Sequence, residues 1–518
     1  MAPCRRPALN RWLPKAALVA GAAAAVAGCA GAPTRSDHGA ARADVLWLNR
    51  ITYGVNSETL ADFERRGRSG FLDSQLSGRD SALPEAIVTQ MNLLDLGHVN
   101  TEQLLATTNA EYKRINALAD GAEKEQARKA LNERGNALAY QSARRDVLRA
   151  IYSPAQLQEQ LVWFWLNHFN VAQSKGSIRW LIGDYEEHAI RPHVLGHFRE
   201  LVMATLTHPA MLQYLDNAQN ALNHINENYA RELMELHTLG VTAGYTQSDV
   251  QNLARILTGV GINAGGAQPK LKSAWQGLYR RDGAFEFNPA RHDFASKQFL
   301  GHAIQGEGFA EVEQAVNIIV HEPACAQFIA RKLAIYFVAD EPPPALVTRM
   351  AATFSRSDGD IAAVLRVMFA APEFSASLGG KFKDPWHFVV SAMRLAYDTR
   401  PILNTHPVIN WLNALAEPLY GHQTPDGYAL TEAGWASSGQ MSRRFEIARA
   451  VAAPNAGLFE PEEGSIASGA GFPQLSNRTY FTAFEPLLSE RTKNALEAAT
   501  SQQEWNTLLL SSPEFNYR

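Results

Sequence analysis

The chain has 518 residues, 46% of them hydrophobic and 19% charged, which supplies a substantial core and excludes disorder along its whole length. The formal net charge of −4 comes from 48 Lys plus Arg against 52 Asp plus Glu, with both signs interspersed, so no basic footprint for nucleic acid exists. Three Cys, at positions 4, 29 and 325, cannot form a disulfide scaffold.

Residues 1–28 have the layout of an export signal: Arg5, Arg6, Arg11 and Lys15 precede the short apolar run AALVAGAAAAVAG. That run is too short to span a bilayer as a helix. It ends Val26-Ala27-Gly28-Cys29, which has the form of a bacterial lipoprotein processing site, with the Cys29 thiol receiving lipid. An ordinary soluble signal peptide is the alternative. Processing there removes four positive charges and no negative ones, leaving a more acidic body. Several acyl chains on Cys29 would give a stable anchor, and Ala30 after it points to the outer membrane. Residues 29–43 are small and polar and read as the lipidated Cys and a flexible tether.

A single large helical domain, of one or two lobes, is expected over 44–518, because no long low-complexity linker follows residue 43. Helical spacing runs through TLADFERRGRSGFLDSQL and through polar helices between Asn100 and Ile151. Ser153, Pro154 and Gln156 predict a capped start for QLQEQLVWFWLNHFN, whose apolar residues surround the helix and require deep burial. Asp184 with Glu187 predicts another helix start, and Thr246 with Asp249 a capping box. Residues 263–290 break the helical rhythm, and GAFEFNP predicts a small β-hairpin there. Helices return in EVEQAVNIIV, CAQFIARKLAIYFV, DIAAVLRVMFA and DPWHFVVSAMRLAY. The fold class is therefore all-α, a multi-helix body with long loops and one small β excursion.

Three segments concentrate groups capable of chemistry. In NHINENYARELMELHTLG, the four-residue spacing of Glu227, Arg231 and Glu235 puts them on one helical face, with Asn228 and Glu232 in the adjacent row. Glu232 and Glu235 are candidate acid and base, and His237 a candidate metal ligand, although the spacing matches no HExxH pair. An ion-paired surface helix or a buried polar network explains the same pattern. Asn167 and His168 sit within VWFWLNHF, where buried polar groups need partners. They are either a satisfied core pair or a cleft wall, with Trp163 and Trp165 offered for stacking on a substrate. In His292-Asp293-Phe-Ala-Ser-Lys297, Asp293 can orient His292 or share a metal with it, while Lys297 stabilises negative charge; a turn cap at Asp293 is the plainer alternative. GxSxG, GxxxxGK[ST] and GxGxxG motifs are absent, and Cys325 has no partner for a CxxC pair and reads as a buried structural thiol.

With VWFWLNHF, NENYARELMELHTLGVTAGYTQSDVQNLARILTG, FEFNPARHDFASKQFLG and FIARKLAIYFVADEPPP in order, the chain resembles the bacterial DUF1800 family, exported proteins defined as a domain of unknown function. The resemblance runs from ADVLWLNRITYG to SSPEF, with a family core at about 154–400. The family's pattern falls on the three segments above, including Asn167, His168, Arg231, Glu232, His237, His292, Asp293 and Lys297, and on Arg255 in the helix between them. Leu166 stands where the family often has His, and Val260 where Trp commonly follows the LTG turn. The resemblance implies a shared cleft and no particular reaction.

The resulting expectation is an exported, lipid-anchored protein at the cell envelope, acting as a metal-assisted hydrolase of envelope or polysaccharide material. In it Glu232, Glu235, His292, Asp293 and Lys297 are catalytic. Trp163, Trp165, Asn167, Asn228, Arg231 and Arg255 bind substrate, and His168, His237, Glu232 and Asp293 hold a divalent ion. The rival is a non-catalytic surface lipoprotein that binds glycan or scaffolds an exported partner. The two separate on one geometric question, which is whether the three segments meet around accessible space.

Overall fold

A computed structural model describes residues 42–79, 82–454, 456–462 and 473–518. The expected signal at 1–28, Cys29 and the tether as far as residue 41 lie outside them, whereas Arg42 and Ala43 already belong to the first helix, Arg42–Ile51. The described residues are 63% helical and 4% strand, an all-α fold with minor β excursions. No described helix is long and apolar enough to cross a membrane.

Local sequence explains most helix boundaries. Asn56 caps Ser57–Ser77 through its side chain, and Thr246 with Asp249 forms the expected capping box on Gln247–Ile256. The predicted start at Ser153 is displaced. The helix runs Gln156–His168, because Ser153 Oγ accepts from Ala155 N in a preceding turn and Gln156 Nε2 donates to the carbonyls of Ala150 and Ser153. Asp184 likewise ends the helix Ile178–Asp184, and Glu187 lies within a π-helical turn, Tyr185–Ile190.

Gln156–His168 is buried on nearly every side. Trp163 stacks on Tyr336 with centroids 5.7 Å apart, and Trp165 packs between Phe164, Phe169 and Phe198. The apolar cluster around them extends from Val45 to Phe515. The non-helical excursion carries a three-stranded antiparallel sheet of β1 (Val260–Ile262), β2 (Arg280–Asp282) and β3 (Phe285–Phe287), in the order β1-β3-β2. Phe287 pairs with Val260 on one side and Arg280 on the other. Thus GAFEFNP provides the central strand, with Gly283 at φ +52° in its turn. A second hairpin joins β4 (Gln298–Phe299) to β5 (His302–Ala303).

Candidate functional site

The buried helix Gln156–His168 delivers Asn167 and His168 to one end of the core. Asn167 is clamped to the loop around Tyr428: its Nδ2 donates to Tyr428 O at 3.0 Å and its Oδ1 accepts from Tyr428 N at 2.6 Å. His168 Nε2 donates to the carbonyl of His237 at 2.9 Å, and the two rings lie 5.9 Å apart. That bond places the His168 proton on Nε2 and leaves Nδ1 as an acceptor.

His237 comes from the second segment, where a short helix Asn228–Glu232 passes into a π-helical turn, Leu233–Thr238. Thr238 Oγ1 donates to Leu233 O at 2.6 Å, closing the widened turn, and Gly240 leaves it at φ +83°. π-Turns recur at functional sites because the extra residue redirects side chains. Here the turn sends His237 inward, fully buried against Phe169, while Glu232 and Glu235 stay half-buried. His168 Nδ1 and both ring nitrogens of His237 have no hydrogen-bond partner among the described residues. Burial, reinforced by the nearby Lys332 ammonium, holds both imidazoles neutral, His237 down to about 3.

Lys332 and Asp426 complete this centre. Lys332, from the helix Pro323–Phe337, lies over Phe328 at 5.5 Å, and burial lowers its ammonium to about 8 against the opposing pull of Asp426. Glu232 is raised by burial, by Glu235 and by Asp426. Asp426 moves the other way: burial opposes ionisation, but hydrogen bonds from Thr424 at 2.5 Å and His422 at 3.2 Å hold it below the usual carboxylate range. Tyr245 is raised to about 12 by burial and Glu235. Arg231 braces the outer face, 3.1 Å from Glu227 and 3.5 Å from Glu235, and Asn228 Nδ2 donates to Leu215 O.

The third segment forms a network of its own. His292 Nδ1 donates to Thr258 O at 2.8 Å, while Glu311 approaches His292 Nε2 at 3.2 Å and Lys297 Nζ at 2.6 Å. Asp293 Oδ2 accepts from Arg255 Nε at 2.7 Å, and its Oδ1 caps the next turn through Ala295 N at 2.8 Å. Burial opposes the Asp293 charge, but the Arg255 bond outweighs it and lowers the carboxyl. His292, Asp293, Lys297 and Glu311 are all buried. Among the described residues no hydrogen bond or ion pair joins this network to Glu232, Glu235 or His237.

The sequence-derived residues thus divide between two places. His168, next to Asn167, meets His237, whose short segment also carries Glu232, Glu235 and Arg231, whereas His292, Asp293 and Lys297 with Arg255 form a separate network. Trp165 is fully buried, with its Nε1 on Val194 O at 3.2 Å, and offers no ligand a ring face. Trp163, itself buried, reaches only a 30 Å³ cavity edged by Asn167 and Tyr428. As a metal set, His168, His237, Glu232 and Asp293 do not converge: the first two supply paired imidazoles, Asp293 is held by Arg255, and no group of three described His, Cys, Asp or Glu is placed to bind an ion. Lys332 carried a sequence signal, as a cation inside an apolar helix. Asp426, in a polar turn, carried none.

A model of the DUF1800 family, described as a protein of unknown function, matches residues 46–517. Neither a curated protein nor a solved structure matches the chain.

Proposed function

The chain belongs to the DUF1800 family, and from that premise we propose that it is an exported, lipid-anchored hydrolase of cell-envelope or polysaccharide material, working by carboxylate acid and base. The observation that carries the reading is the pairing of Glu232 with Asp426. They come from different elements, lie close enough to influence one another, and are driven in opposite directions, Glu232 up and Asp426 down. Carboxyl groups so separated divide naturally into acid and base. Glu232 protonates the leaving-group oxygen, and Asp426 takes the proton of the attacking water. Glu235 favours the protonated form of Glu232, Arg231 positions Glu235, and Lys332 provides positive charge beside the pair. No step is routed through a metal, since the converging residues do not form a three-ligand set. Export and anchoring rest on Arg5 to Lys15, the apolar run after them and Cys29.

The test is release of reducing ends from peptidoglycan and from bacterial exopolysaccharides by the purified chain. Glu232→Gln and Asp426→Asn are each expected to lower the rate by about 100-fold or more, the usual contribution of general acid or base catalysis, with little change in thermal midpoint. Wild-type protein inactive on all these polymers, or a fully active Glu232→Gln variant, would overturn the reading. A second reading, a lipoprotein that scaffolds a partner or binds glycan, is favoured by one observation: the enclosed His292, Lys297 and Glu311 network is built for packing and not for access.

A further inference from the structure

A cleft of about 1050 Å³ opens between the β2 to β3 turn and the helices Ile178–Asp184 and Phe198–Thr207, and it shares no lining residue with the Glu232 centre. The π-helical turn Tyr185–Ile190 borders it. Asp184 organises two imidazoles there. Its Oδ1 accepts from His188 Nδ1 at 2.8 Å and its Oδ2 from His208 Nε2 at 3.0 Å. His208 Nδ1 accepts the backbone N–H of Ala210 at 3.2 Å, so the direction of that bond is fixed. Burial raises the Asp184 carboxyl, but the His208 bond prevails and brings it down to about 2, so it is a constant acceptor. The His188 proton is therefore on Nδ1, and Nε2 is an acceptor on a side chain 71% exposed.

Charge in the cleft is nearly but not wholly paired. Arg280 meets Glu313, and Arg281 meets Glu102. Arg199, half-buried, has no ion-pair or hydrogen-bond partner among the described residues. The same cleft is also lined by His193 and the carboxylates Glu200 and Asp282. One unpaired guanidinium in a cleft that also carries two carboxylates suits a single negative charge and disfavours a dianion such as phosphate. The acceptors His188 Nε2 and Glu200 require hydroxyl donors from the ligand. Phe285 and Phe309 supply an apolar floor of the kind that packs on the C–H face of a sugar ring.

We propose that this cleft binds a polyhydroxylated carboxylate of the uronic-acid class, with the carboxylate on Arg199 and a hydroxyl donating to His188 Nε2. The site stands independently of the hydrolase reading.

Calorimetric titration of the full chain with D-glucuronate, D-glucose and inorganic phosphate tests it. Glucuronate is expected to bind, with glucose and phosphate weaker by about tenfold or more. Arg199→Gln should weaken glucuronate by about tenfold, and His188→Gln by several-fold. Asp282→Asn, at an exposed strand position that cannot disturb the core, should tighten it about twofold. Absence of glucuronate binding to wild type, tighter binding of phosphate, unchanged affinity in a folded Arg199→Gln protein, or weaker binding in Asp282→Asn would each overturn the proposal.

Discussion

His237 poses the sharpest question at the residue scale, because a fully buried imidazole with two unpartnered nitrogens contributes little to folding. Burial holds it down to about 3, against an ordinary value of about 6.5 in the unfolded chain. The native state therefore excludes a proton that the unfolded state binds. Stability from this group is complete above about pH 6.5 and is lost as pH falls from there toward 3. At pH 5 the loss amounts to about 2 kcal/mol. Replacing the ring by an apolar group of similar size removes both the unsatisfied atoms and the proton uptake. His237→Leu is expected to match wild type within about 1 kcal/mol at pH 7.5 and to lose about 2 kcal/mol less on acidification to pH 5. Urea unfolding at the two pH values measures both, and a loss above about 3 kcal/mol at pH 7.5 would show that His237 is a structural keystone. Sequence made His168 visible as a polar residue inside an aromatic run, and His237 as one of several ligand-type side chains crowded into one short segment. It could not pair His237 with Lys332 or Glu232 with Asp426, since nothing local encodes which helix or loop packs against a given face.

At the scale of elements, legibility followed the range of the interactions. The capping box at Thr246 and Asp249 is complete within four residues, and the sequence pattern identified it. Asp184 and Glu187 carry the same acidic signature, yet the chain continues through them into a π-turn. Arg149 and Arg191, from other elements, bond Glu187 and Glu186 and override the local signal. The loop carrying Asp426 depends on one close approach. Gly427 has φ +75°, and a Cβ there would lie 2.2 Å from Asn167 O, beside the two hydrogen bonds that clamp Tyr428 to Asn167. Gly427→Ala must relieve both the contact and the left-handed backbone by moving the loop. The expected cost is about 2–4 kcal/mol in urea unfolding, accompanied by loss of any activity that depends on Asp426. A variant within about 0.5 kcal/mol of wild type would mean that the Asn167 clamp yields without consequence.

Across the whole molecule, buried guanidinium groups join segments hundreds of residues apart. Arg50, at the end of the first helix, donates to Phe337 O at 2.7 Å, Val338 O at 3.0 Å, Ser377 O at 2.7 Å and Arg518 O at 2.6 Å. Arg394 similarly donates to Gly54 O at 2.8 Å and Thr59 Oγ1 at 2.7 Å. Periodicity could place these arginines on helices, but not reveal that each is buried across the core, because a lone Arg near a helix end usually reads as solvated. The consequence concerns cooperativity. A helix tied to the core only by its apolar face can fray independently, whereas one whose penultimate residue satisfies carbonyls from three distant segments cannot leave without exposing all of them. Arg50→Met keeps most of the side-chain volume and removes the donors, leaving several buried carbonyls unpaired at about 1–3 kcal/mol each. The variant is expected to unfold at a lower midpoint in one transition that near-UV circular dichroism and tryptophan fluorescence report identically. Hydrogen exchange should then accelerate together in Arg42–Ile51 and in the helix Pro323–Phe337. Faster exchange confined to the first helix would show that Arg50 fastens that helix alone and that the remaining core is a separate cooperative unit.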